Sequence, residues 1–193
     1  RSASVIPTSG NVDFYLRLFN AKHSQTLPKN YNMIVAAVEK PWNEGTGLDM
    51  EGYKDIDQSN WIKASSTTDW TNQGGDYRNG PGFSFTASFD SGVEDIEINI
   101  SSLVERWAND TTKPDALQTI PNYGVGVFMA PTEEAADRSY YTKKFFARGT
   151  EIFFKKPCIE ARWDSSIQDD RGNFYYSSSL ATAAENLQTI YLY

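Results

Sequence analysis

Asp95-Ile96-Glu97-Ile98-Asn99-Ile100-Ser101-Ser102-Leu103-Val104-Glu105-Arg106-Trp107 is the stretch whose reading decides the fold. Isoleucines at 96, 98 and 100 alternate with Asp95, Glu97 and Asn99, the period-2 pattern of a strand with one face buried and the other in water. The period then changes. Ser102-x-x-Glu105 has the form of a capping box, in which hydroxyl and carboxylate satisfy each other's backbone donors, and Leu103, Val104 and Trp107 follow at helical spacing. This predicts one short helix ending near Asn109.

Outward from that junction the chain reads as strands. Phe14, Leu16 and Leu18 alternate with Tyr15, Arg17 and Phe19. Met33-Ile34-Val35-Ala36-Ala37-Val38 is apolar on both parities and is stopped by Pro41, which predicts a central strand covered on both faces. Phe83, Phe85 and Phe89 suggest another strand. In Tyr123-Gly124-Val125-Gly126-Val127-Phe128-Met129 the glycines predict a small face lying under a bulky neighbour, with Pro131 closing the strand. Tyr140 to Phe146 is rich in aromatics and Glu151 to Phe154 is a further apolar piece. Ile159, Ala161 and Trp163, alternating with Glu160, Arg162 and Asp164, read as the last strand. Five Trp, eleven Tyr and eleven Phe among 193 residues favour pleated, half-buried surfaces over helices. The class predicted is all-β: an antiparallel sandwich with one short helix and a C-terminal extension. Its parts are an N-terminal segment at 1–13, the sandwich at 14–164, and a linker with C-terminal extension at 165–193. Residues 42–80 show no clear period, which is unusual over such a length in a compact domain.

Composition removes several function classes. The formal net charge of -7 gives no global field to draw in nucleic acid or anionic lipid. One Cys (Cys158) and one His (His23) allow neither an internal disulfide nor a Cys/His zinc site. No run approaches the roughly 20 apolar residues of a membrane span, so membrane insertion is not expected. The polar opening Arg1-Ser2-Ala3-Ser4-Val5-Ile6-Pro7, without an initiator Met, reads as part of something longer.

The order of these features carries a resemblance. Tyr15-Leu16-Arg17-Leu18-Phe19, then Trp42-Asn43-Glu44-Gly45, Asp69-Trp70-Thr71, a strand running into Ser102-Leu103-Val104-Glu105-Arg106-Trp107, and Asn122-Tyr123-Gly124-Val125 resemble the DNRLRE family of jelly-roll β-sandwiches. Phe145-Phe146-Ala147-Arg148-Gly149-Thr150-Glu151 and Lys156-Pro157-Cys158-Ile159-Glu160-Ala161 look like the end of that domain. The family's Asp-rich early strands have only residues 5–13 to match them, so a sheet edge is open to completion by a partner. The stretch from Arg138 to Gly149 and the ending Asp170-Arg171-Gly172-Asn173-Phe174-Tyr175-Tyr176 are similar to structural proteins of tailed, notably marine, bacteriophages. The resemblance implies a jelly roll and a non-enzymatic virion structural or adhesion module with no inherited catalytic residue. Its partners would be other virion chains, its location the virion. Phe174-Tyr175-Tyr176 and Ile190-Tyr191-Leu192-Tyr193 are apolar enough to need burial, which points to a homo-oligomer.

Several constellations have a functional and a structural reading side by side. Trp42, Trp61, Trp70, Tyr53 and Tyr77, among Asn43, Asn60, Asn72 and Gln73, suit a surface polysaccharide, since sugar rings offer apolar faces and hydroxyls. The alternative is that they form the private core of the 42–77 loop. Asp49, Glu51, Asp55 and Asp57 beside Gly45, Gly47 and Gly52 make a candidate calcium loop, against an ordinary solvated one. Glu44, Asp49, Asp69 and Asp76 contain the carboxylates a glycosidase would need, but no catalytic residue is assigned, because the spacing in space is not in the sequence. His23, without a triad signature, reads as a surface residue. Arg148, Glu151, Glu160 and Arg162 read as an ion-pair cluster pinning the last strands. Lys143-Lys144 and Lys155-Lys156 suit pairing with acidic neighbours, and Cys158 a packed or half-packed thiol.

Overall fold

The computed structural model describes residues 12–45, 58–108, 120–137 and 142–164. The chain divides into two units, Arg1–Arg162 and Trp163–Tyr193. Of the second, Trp163 and Asp164 are among the described residues.

The first unit is built of antiparallel strands, and among the described residues one helix exceeds a single turn. In the first sheet β1 (Asp13–Leu18) lies between β7 (Ile96–Asn99) and β9 (Cys158–Arg162). Leu16 sits opposite Ile98 on one side and Ile159 on the other, and Phe14 opposite Ala161, which places the apolar parity of all three strands on one face. The opposite face carries the charges. Arg17 reaches Glu160 at 2.8 Å and Glu97 at 3.4 Å, while Arg162 reaches Glu97 at 2.7 Å and Glu160 at 3.0 Å and stacks over the Tyr15 ring. The two guanidiniums hold the Glu160 carboxyl down at about 2. Arg148 belongs elsewhere, paired with Glu44 at 3.0 Å, so the expected cluster forms from Arg17 and Glu97 in place of Arg148 and Glu151.

In the second sheet β2 (Tyr31–Val38) is central, as its two-sided apolar run predicted. β8 (Val125–Met129) lies on one edge, and β6 (Ser84–Phe89) and the short β5 (Tyr77–Arg78) lie along the other. Burial of β2 is two-sided only from Val35 onward, where Val35, Ala36 and Ala37 are fully enclosed. Its inner parity packs on the first sheet: Phe14, Leu16, Val35, Ala37, Phe83, Ile100 and Leu103 form one cluster. Tyr31, Met33, Phe89 and Ile96 form a second, in which Tyr31 and Phe89 stack at 4.9 Å. Burial, with Glu94 nearby, pushes the Tyr31 phenol up to about 12.

Helix α1 (Ser101–Ala108) closes the cluster with Leu103, Val104 and Trp107. It begins one residue before the expected cap. The Ser101 hydroxyl accepts the Phe14 N–H at 2.8 Å, tying helix to strand, and the first-turn N–H groups of Leu103 and Val104 bond to the Ile100 carbonyl. Ser102 is therefore inside the helix, and the capping-box reading is corrected. The stretch that lacked a period contains β3 (Lys63–Ser65), β4 (Thr68–Asp69) and β5, too short to show one. A one-turn helix α2 (Pro131–Glu134) follows β8, and a 3-10 turn (Phe153–Lys155) precedes β9.

Three further expectations are corrected. Cys158 is exposed, at the start of an edge strand. Ile159, on the core-facing parity of the edge strand β9, is 47% exposed. His23 is half-buried, and neither ring nitrogen has a hydrogen-bond partner among the described residues.

Candidate functional site

The outer face of the second sheet is where the sequence's aromatic stretch comes to rest. Ile34, Ala36 and Val38 of β2 pair across the ladder with Phe128 and Gly126 of β8 and Tyr77 of β5. Tyr77 stacks on Phe128 at 4.6 Å, and its hydroxyl donates to the Gly74 carbonyl at 2.8 Å. A Cβ at Gly126 would collide with the Tyr77 ring, so the expected small face lies under a bulky neighbour at Gly126, whereas Gly124, just before β8, has open space where its Cβ would be.

Above this floor, residues 58–76 fold back as an excursion fixed by polar groups. Asp76 is buried, and its carboxylate accepts from the N–H groups of Thr71 and Asn72 at 2.9 Å each and from the Lys40 ammonium at 2.9 Å. Lys40 also donates to the Asp69 carbonyl and the Thr71 hydroxyl. Burial alone would raise the Asp76 carboxyl, but these donors hold it well below the usual carboxylate range. Asn60 plays a similar part, its side-chain oxygen accepting from the N–H groups of Ile62 and Lys63 at 2.9 Å. Gly74, at φ +92°, takes a left-handed turn, and the six-membered ring of Trp61 lies where its Cβ would be.

The result is an open depression of about 270 Å³ lined by Val38, Trp42, Ser59, Asn60, Trp70, Gly74, Tyr77, Val125 and Gly126. The indole N–H of Trp42 donates to the Tyr123 carbonyl and that of Trp70 to the Asn60 carbonyl, each at 2.8 Å. Their polar edges are spent on main chain, so what these rings can offer a ligand is apolar face. Of the five aromatics singled out by sequence, Trp42, Trp70 and Tyr77 converge here. Trp61 is 57% exposed and reaches the site only through its contact with Gly74. Tyr53 lies outside the described residues. Sequence reasoning missed Val38, Val125 and Gly126; the Gly124-x-Gly126 alternation opposite an apolar strand was the signal that could have placed them.

The candidate calcium ligands Asp49, Glu51, Asp55 and Asp57 lie outside the described residues, and among the described residues no three His, Cys, Asp or Glu side chains come together as a metal site. The carboxylates considered for hydrolysis do not converge on the depression either. Glu44 pairs with Arg148, Asp69 is exposed on β4, Asp76 is committed to its turn, and Asp49 lies outside the described residues. No helix of the described residues is long and apolar enough to cross a membrane. Compared with family models, with curated proteins and with solved structures, the chain matches none.

Proposed function

We propose that this chain is a non-enzymatic adhesion module that contacts a neutral surface polysaccharide across Trp42, Trp70 and Tyr77, and that it works as part of an assembly with other copies or virion chains. The observation that carries the reading is the aromatic depression itself. Its rings are locked by their own polar atoms, so a sugar face meets a preformed apolar wall and little ordering entropy is lost on binding. At about 270 Å³ it lies at the small end of ligand sites and suits one ring of a chain, the scale of adhesion rather than engulfment. Among the described residues its lining is aromatic, aliphatic and amide in character, which suits contact with a sugar face. The jelly-roll winding, the virion location and the DNRLRE kinship rest on the sequence resemblance, and a calcium ion at Asp49, Glu51, Asp55 and Asp57 on the spacing of those acids. Assembly is favoured by Phe153 and Phe154, which are 72% and 84% exposed and pack edge to face on each other at 5.5 Å.

The test is tryptophan fluorescence titrated with dextran, xylan and galactomannan, on protein whose mass in solution is measured by light scattering. A saturable change, weakened about tenfold or more in Trp42→Ala, is expected. No change with any of the three would sink the glycan reading, and a monodisperse monomer at micromolar concentration would sink the assembly part.

A further inference from the structure

A second depression, of about 740 Å³, shares no lining residue with the aromatic site. Lys22, Lys144 and Lys155 line it together with Phe145 and Phe146. In a chain of net charge -7 this concentration of ammonium groups is contrary to the average surface. Arg17, Lys40, Arg78, Arg148 and Arg162 each have a carboxylate within 4 Å. Lys22, Lys144 and Lys155 have none among the described residues. Of the lysine pairs expected to meet acidic neighbours, Lys143 does have Glu94 and Asp95 acting on its charge, whereas Lys144 and Lys155 have no such partner among the described residues. The one carboxylate in the lining, Asp95, accepts the Asn20 N–H at 2.6 Å.

One side chain links the segments around the depression. The Lys143 ammonium donates to Asn20 Oδ1 and to the carbonyls of Gly92 and Glu94, and it sits over the Phe89 and Phe145 rings. It thereby ties three segments together beneath the lysines.

The main chain adds a directional feature. The Ala21 N–H bonds to the Lys144 carbonyl at 2.8 Å and the Phe146 N–H to the Phe19 carbonyl at 2.9 Å, flanking the Asn20–Phe145 bridge. In such an extended pairing the N–H and C=O of Phe145 face the other way, and neither has a partner among the described residues.

We infer that this depression docks an acidic, extended peptide segment of a partner protein. Its carboxylates meet Lys22, Lys144 and Lys155, its apolar side chains lie on Phe145 and Phe146, and its main chain pairs with Phe145. The unpaired peptide group at Phe145 favours polypeptide over acidic glycan, because a peptide supplies a donor and an acceptor at strand spacing. The site is distinct from the proposed sugar contact and does not depend on it.

The test is fluorescence anisotropy of a fluorescein-labelled peptide of alternating glutamate and valine, about twelve residues long, with a lysine–valine peptide as control. Binding of the glutamate peptide alone is expected, weakened about tenfold or more between roughly 50 and 500 mM NaCl. The same loss is expected in the triple variant Lys22→Glu, Lys144→Glu, Lys155→Glu, and in Lys22→Gln with Lys155→Gln should the triple variant fail to fold. Equal binding of both peptides, an unchanged affinity in the charge variants, or no binding up to about millimolar protein overturns the inference. So does lysine-dependent binding of polygalacturonate with none of the peptide, which would assign the cleft to an acidic glycan.

Discussion

The two faces of the β2 sheet come from one strand and are held by different physics. The inner parity, Met33, Val35 and Ala37, is sealed by apolar side chains of the first sheet and of α1. The outer parity, Ala36 and Val38, is covered by an excursion whose order depends on a buried carboxylate, an amide and indole N–H groups bonded to main chain. Apolar contact is forgiving of composition and insensitive to pH, whereas the cover fails if one polar partner is removed, since the donors around it are then left desolvated. Fold and binding face are therefore separable, and each can be broken alone.

The inner face should show the largest effect. Leu103 is fully buried in the cluster shared by both sheets and α1, and Leu103→Ala leaves a cavity there at a cost of about 3 kcal/mol. Urea unfolding followed by far-UV circular dichroism should show this loss equally at pH 7 and near pH 4. A loss below about 1 kcal/mol would mean the shared cluster is not the principal core.

Asp76→Asn comes next and is the sharper probe of the contrast. Removing the charge strands the Lys40 ammonium against a neutral partner and weakens two main-chain bonds, and about 2–3 kcal/mol of order in the excursion is expected to go. The carboxyl is depressed in the folded chain, so its stabilisation is complete above the unfolded value near 3.9 and is lost as pH falls below about 4. The wild-type and variant denaturation curves, read by Trp emission, should thus differ at pH 7 and converge on acidification. A gap that stays constant down to about pH 3 would show that Asp76 acts through shape and not through charge.

That contrast also explains what could be read from the residues. The alternations at 14–18 and 96–100 were legible because Phe14, Leu16, Ile96 and Ile100 turn to the dry core, and a period of two survives any choice of neighbour. That at 123–129 was legible through its glycines, since Val125–Met129 is half-buried throughout. The helix at 101–108 was legible in place and wrong in its first residue. Ser102 carries the sequence signature of a cap, but the first-turn N–H groups bond to the Ile100 carbonyl, and the Ser101 hydroxyl is taken by the Phe14 N–H, 87 positions away. The excursion was illegible because Asp76, Asn60 and Gly74 order it through hydrogen bonds and a left-handed turn, and none of these leaves a hydrophobic period. Trp42, Trp70 and Tyr77 were identifiable as a set by residue type, but their separation from Trp61 depends on a turn geometry that composition does not encode. Lys144 and Lys155 lack the acidic partners expected of them for a related reason: a count of acidic residues says nothing of where they sit, and Glu97 and Glu160 are consumed by Arg17 and Arg162.

The smallest effect should come from Gly126→Ala, and it bears directly on how far the two faces are independent. The added methyl falls on the Tyr77 ring, which cannot simply swing away because it stacks on Phe128 and its hydroxyl is bonded to the Gly74 carbonyl. Burial already pushes that phenol up from its ordinary value. Accommodating the methyl costs about 1–2 kcal/mol in the manner of overpacking, and since Gly126 and Tyr77 both line the depression, the geometry of the site changes along with the stability. The backbone of β8 can keep its ladder to Ala36, so the inner cluster should be untouched. Amide exchange protection at Val35 and Ala37 is expected to stay at the wild-type level while protection of Gly74 and Gly75 falls. Equal losses at all four positions would show that the cover and the core unfold as one unit, and the separation of binding face from fold would not hold.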